Sequence, residues 1–204
     1  MDNFIFDIDG TLLNTEKMYM LPLKKVLNEN GYPVSYEQCA NTFGITSLDA
    51  LKMLNVAESD IDIILEKWMA LIPDYAKDVN LFDGILETLS ILSEKKELAI
   101  ASSKVREEYI RDVKRFDIDK FLSDIVLADQ IKRGKPYPDM ILKVIQDLNL
   151  NPENTIYVGD TIYDLQAAHN ANVAFGLAGW QTKFTDKFKE ADYLFNDPKE
   201  MLDL

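Results

Sequence analysis

The stretch "FIFDIDGTLLNTE", Phe4 to Glu16, decides how the chain is read. An apolar run ends in two aspartates one residue apart, and a glycine and a hydroxyl follow. The tripeptide Asp-Ile-Asp occurs three times, at Asp7–Asp9, Asp60–Asp62 and Asp117–Asp119. Only the first follows a strand-like apolar run and precedes Gly10-Thr11. "ESDIDII" reads as a helix start with acids in its first turn. "RFDIDKF" reads as a connection between a helix and a strand. Asp9-Gly10 alone would suit a hairpin turn, but "TLLNTEKMYM" after it has helical rather than strand character. An EF-hand loop is excluded, because Leu12 and Met18 stand where it needs glycine and glutamate.

Working outward, five further apolar runs resemble the first: Glu97–Ser102, Asp124–Ala128, Thr155–Asp160, Val173–Ala178 and Asp192–Phe195. The first strand itself is expected over Asn3–Ile8. Near-continuous apolar character suits strands covered on both faces. Between them, Ile85, Leu89 and Leu92 recur at helical spacing, as do Ile141, Val144, Ile145 and Leu148. Strand–helix–strand alternation predicts an α/β fold with a doubly wound parallel sheet. Residues 14–81 break the alternation. Ile61, Ile64, Leu65, Trp68, Leu71 and Ile72 form a helical stripe there, and Ser47 suits the N-cap of a helix over Leu48–Leu54. The expected organisation is a Rossmann-like core of residues 1–13 and 82–204 with residues 14–81 inserted as a helical cap.

Composition narrows the function. The chain has 204 residues with a formal net charge of −13, which argues against a nucleic-acid-binding surface. A phosphate-bearing ligand would be repelled at long range, so binding one would require local cations. The apolar runs are too short to span a bilayer, and the start of the chain lacks a basic n-region. Cys39 is the only cysteine, which excludes an internal disulfide and thiol-rich metal sites. The expectation is a cytoplasmic protein that does not bind membranes; oligomeric state is unreadable.

In open parallel sheets ligands bind beyond the carboxyl ends of the strands. The chemistry expected at that edge is Asp7, Asp9 and Thr11 after the first strand, Ser102 and Ser103 after the second, and Asp160 with Asp164 after "TIYVGD". Lys135, in "GKPYPD", precedes a helix start. Clustered carboxylates need a cation, and hard oxygen ligands favour Mg²⁺. A carboxylate beside it can attack phosphorus, and a second carboxyl can carry the proton.

These segments resemble the motifs of the haloacid dehalogenase-like hydrolases. "DIDGTLLNTE" resembles the first, "LAIASS" the second, "GKPYPD" the lysine motif and "VGDTIYD" the last acidic motif, in the family's order from Asp7 to Asp164. The helical insert resembles the phosphoglycolate phosphatase and β-phosphoglucomutase branch. The resemblance implies Asp7 as nucleophile and metal ligand, and Asp9 as acid/base with its backbone carbonyl on Mg²⁺. It implies Thr11 as an orienting and substrate-side residue, and Ser102 or Ser103 as phosphoryl ligand. Lys135 would bind phosphate and steady Asp7, with Asp160 and Asp164 at the metal. The implied reaction is Mg²⁺-dependent hydrolysis of a small phosphorylated metabolite, with Asp7 ionised, Asp9 protonated, and the cap closing over the site. Two alternatives are a phosphomutase and a non-enzymatic aspartyl-phosphate receiver. "FGITSLDAL" keeps Gly44, Ser47 and Leu48 of the mutase cap motif but lacks its arginine, which favours the phosphatase. Ser103 stands where asparagine is common in this branch, which leaves the choice between the two serines open.

The remaining polar residues have plainer readings. Ser102 and Ser103 suit caps for a helix near Val105, Asp160 suits an N-cap, and Lys104 and Arg106 read as solvated helix residues. His169 reads as a helix residue, Cys39 and Trp68 as buried, and Trp180 as a loop residue bordering the site.

Overall fold

The computed structural model describes all 204 residues. Strand β1 (Asn3–Phe6) is buried throughout and pairs in parallel with β2 (Glu97–Ser102) on one side and β4 (Thr155–Gly159) on the other. With β3 (Asp124–Leu127), β5 (Ala174–Ala178) and β6 (Tyr193–Phe195), the sheet order is β3-β2-β1-β4-β5-β6, every pairing parallel. The order runs outward from β1 in both directions. That is the doubly wound arrangement, with its switch point between β1 and β4. All six expected strands form. β1 stops at Phe6 rather than Ile8, because the Ile8 carbonyl accepts from the amides of Thr11, Leu12 and Leu13, which turns the chain. No hairpin forms at Asp9-Gly10.

The chain divides into two compact units, Met1–Leu13 with Leu81–Leu204, and Asn14–Asn80. The second unit holds α1 (Glu16–Glu29), α2 (Tyr36–Ala40), α3 (Ser47–Met53) and α4 (Ile61–Tyr75). α1 buries Met18, Met20, Leu23, Val26 and Leu27, and α4 buries Ile61, Ile64, Trp68 and Ile72. The two helices pack together, and the Trp68 Nε1–H donates to the Tyr19 carbonyl at 2.9 Å. Leu65 and Leu71 are half-buried flanks of the expected stripe. The N-cap of α3 is Thr46 rather than Ser47; its Oγ1 accepts from the Asp49 amide at 3.2 Å. Both hydroxyl residues suit a cap, and the extended backbone of Thr46 decides between them. Cys39 is buried.

In the first unit, α5 (Ile85–Leu92) packs against β2 and against the C-terminal turn Pro198–Asp203. α6 (Arg106–Asp112) follows β2. α7 (Asp139–Leu148) and α8 (Ile162–Asn170) share a core with the sheet face that carries Ile5, Ala99, Ala101, Tyr157 and Phe175. Residues one position along each strand face the other way, where Phe4 and Phe6 stack at 6.0 Å. Burial of such side chains on both faces, each contributing about 1.5–3 kcal/mol, fixes strand register, and register fixes which residues reach the carboxyl edge. No helix is long and apolar enough to cross a membrane.

Candidate active site

Register brings the acids together. Phe6 is opposite Val158 on β4 and Ile100 on β2, so the next residues along three adjacent strands share one edge. The Asp7 amide extends the ladder with a 2.9 Å bond to the Val158 carbonyl, and Asp160 follows Gly159 on the neighbouring strand. Two glycines make the crowding possible. A Cβ on Gly10, whose φ is +78°, would stand 2.2 Å from Asp160 Oδ2. A Cβ on Gly159 would stand 2.5 Å from that of Asp164.

Asp7, Asp160 and Asp164 are buried, and one oxygen from each lies within 4.8 Å of the others. The Lys135 Nζ stands 2.9 Å from Asp7 Oδ1 and 2.6 Å from Asp164 Oδ1. One ammonium among three carboxylates leaves negative charge in excess. Burial raises Asp7 to about 6, with the Lys135 charge opposing and the Asp164 and Asp9 charges assisting. Burial, then the Asp164 and Asp7 charges, push Asp160 well above the ordinary carboxylate range. Burial opposes the charge on Lys135, yet the neighbouring acids hold its pKa well above the ordinary value.

The three acids are not equivalent. Asp164 Oδ2 accepts from the amides of Asp160 (3.2 Å) and Thr161 (2.9 Å) and from the Thr161 hydroxyl (2.7 Å). The Thr161 Oγ1 accepts in return from the Asp164 amide, closing a capping box on α8. The other Asp164 oxygen, Oδ1, meets Lys135 and accepts from the Tyr157 hydroxyl. Asp164 is therefore saturated by protein groups. Asp160 Oδ1, in contrast, is buried with no hydrogen-bond partner. A buried orphan oxygen beside excess negative charge fits a hard cation, with Asp7 and Asp160 as the acids open to it.

Ser102 is buried at the end of β2, whereas Ser103 is exposed. Neither caps α6, whose N-cap is Val105; nor is Asp160 the cap of α8, which is Thr161. Thr11 is fully buried, and its hydroxyl hydrogen-bonds no other group, Asp9 included. Its carbonyl accepts from the Trp180 Nε1–H at 3.0 Å, which puts Trp180 against the loop that carries the acids. His169 lies in α8 and meets Asp192 at 3.1 Å.

Lys104 departs from the sequence reading. It is 2% exposed rather than solvated, and its Nζ stands 3.1 Å from Asp9 Oδ1 and 3.0 Å from Asp112 Oδ2. A buried lysine therefore stands directly beside the Asp9 carboxyl. Tyr157 was equally hidden in an ordinary apolar strand. Its hydroxyl donates to the Ala101 carbonyl at 2.8 Å, and Lys135 lies 5.3 Å from its ring centroid. The only sequence signals are a lysine directly after a strand-end hydroxyl pair and a phenol inside a buried strand.

A family model described as haloacid dehalogenase-like hydrolase matches residues 4–178. The chain belongs to that family. The "Pyrophosphatase PpaX" of Halalkalibacterium halodurans is 27% identical, over 100% of this chain and 96% of the relative. The "Phosphorylated carbohydrates phosphatase" of Thermotoga maritima is 29% identical over 85% of this chain and 82% of the relative. A solved structure assigned as a phosphoglycolate phosphatase from Lactobacillus plantarum is 28% identical. It superposes with a TM-score of 0.91, covering 99% of this chain and 98% of that one. This haloacid dehalogenase-like chain is an enzyme, and the proteins it resembles bear phosphatase or pyrophosphatase names.

Proposed function

We propose that this enzyme hydrolyses a small phosphate monoester through an aspartyl-phosphate on Asp7. One observation carries the reading: a buried carboxylate at the switch point touches a buried ammonium and lies within 4.8 Å of two further acids. An Asp7 oxygen bonds to phosphorus as the bond from phosphorus to the leaving oxygen breaks. Asp9, in its acid form, passes its proton to that oxygen. Water then bonds to phosphorus, Asp9 takes its proton, and the Asp7–phosphorus bond breaks. Inorganic phosphate leaves and both acids are restored. Lys135 and the buried Ser102 bind phosphoryl oxygens, where charge resides in the transition state; exposure leaves Ser103 the weaker candidate. Asp7, Asp160 and the Asp9 carbonyl would hold Mg²⁺, with Asp164 bracing them, and the ion would supply the positive charge that offsets both the acids and the phosphate.

The relatives' names make sugar phosphates and pyrophosphate the first compounds to assay, beside phosphoglycolate and nucleotides. The test is phosphate release across that panel. EDTA should abolish it, added Mg²⁺ restore it, and Asp7→Asn lower it by at least a thousandfold in a folded protein. Turnover by Asp7→Asn at the normal rate would remove the nucleophile assignment. An isomerised sugar phosphate without free phosphate would indicate a mutase, and stoichiometric labelling without turnover a receiver.

A further inference from the structure

Lys104 has no role in the reaction drawn above, yet it is among the largest fully buried side chains. A buried ammonium persists only where partners compensate it. One partner, Asp112 on α6, already takes both Arg111 Nε at 2.6 Å and an Arg111 terminal nitrogen at 2.8 Å. Asp112 therefore has a second cation beside Lys104, and the lysine charge is shared between Asp112 and Asp9.

The backbone of Lys104 is hydrogen-bonded on both sides. Its amide donates to Ser102 Oγ at 3.4 Å, and its carbonyl accepts from the Ala128 amide at 2.9 Å, tying it to β2 and to the end of β3. From this frame the ammonium reaches the loop after β1. The contact with Asp9 Oδ1 is one of charge rather than of aligned hydrogen bonding, since that oxygen has no directed donor. Lys135 is built the same way, joining Asp7 to the saturated Asp164. Each of the two central acids thus has its own buried lysine, and each lysine is tied to an acid anchored on a helix.

We propose that Lys104, anchored by Asp112, is a positioning residue that holds the Asp9 carboxyl where proton transfer occurs. The inference rests on the acid/base role given to Asp9 above. An acid matters most when the leaving oxygen is a poor leaving group. Loss of Asp9 placement must therefore weigh more on an alkyl phosphate than on 4-nitrophenyl phosphate.

The test compares kcat/KM for glycerol phosphate and 4-nitrophenyl phosphate in wild type, Asp9→Asn, Lys104→Arg and the double variant Lys104→Met with Asp112→Asn. The double variant removes the ammonium together with its anchor; Asp112→Asn alone serves if the double variant does not fold. In the double variant the alkyl ester should lose at least about tenfold more than the aryl ester, and Lys104→Arg should recover part of that loss. Equal losses on both esters, with wild-type melting behaviour, would overturn the inference while Asp9→Asn still discriminates. If Asp9→Asn itself fails to discriminate, the acid/base role falls and the inference falls with it.

Discussion

Asp7 illustrates how one side chain can cost stability and carry function. Burial raises it to about 6, against 3.8 for an ordinary aspartate. The folded form therefore binds the proton more tightly than the unfolded one. Folding takes up a proton between these values, so the contribution of Asp7 to stability is full below about 3.8 and is lost as pH rises through about 6. The displacement corresponds to roughly 3 kcal/mol. In metal-free protein, Asp7→Asn should raise the melting temperature at pH 7.5 and do so much less at pH 4. An equal effect at both values would show that Asp7 titrates normally. Gly10 is a second residue-scale case. Its φ of +78° disfavours any side chain, and a methyl would strike Asp160. Gly10→Ala should cost roughly 1–3 kcal/mol and weaken the Mg²⁺-dependent rise in melting temperature. Unchanged metal stabilisation would separate the glycine from the acid cluster.

At the scale of elements, α8 shows secondary-structure chemistry placing a functional group. The residue that closes its capping box is Asp164, which also meets Lys135. A cap interaction is worth about 1 kcal/mol. Thr161→Ala should therefore lower stability by about that much in denaturant melts. It should also reduce activity, because Asp164 loses the donor that orients it at 2.7 Å. Full activity in a protein destabilised by that amount would make the box purely structural. Thr46 on α3 supplies the contrast: its loss should cost stability alone. The sequence contained the hydroxyl–acid spacing of both caps. Choosing Thr46 over Ser47 required the backbone angles, because adjacent hydroxyls satisfy the same pattern.

At the scale of the whole molecule, all six strands belong to one compact unit, although the chain leaves it after Leu13 and returns at Leu81. The two ends of that excursion meet: Leu13 bridges Leu81, and the Phe82 amide donates to the Leu12 carbonyl at 3.0 Å. Replacing residues 14–80 with a short glycine–serine linker should thus leave a core that unfolds cooperatively and still gains stability from Mg²⁺. A broad, metal-insensitive melt would show that the core needs the helical unit to fold.

The sequence by itself determined the strands, their α/β order and the edge at which Asp7, Asp9, Ser102 and Asp160 emerge. These depend on hydrophobic period and on covalent adjacency, which are local. Lys135 was legible only through its motif. The tertiary structure alone decided that Lys104 is buried on Asp9, that Asp164 is saturated while Asp160 keeps an orphan oxygen, and that Tyr157 reaches Asp164. Whether a charged side chain is solvated or buried, and which partner it meets, depends on elements distant in sequence packing at one sheet edge. No local pattern encodes that distance.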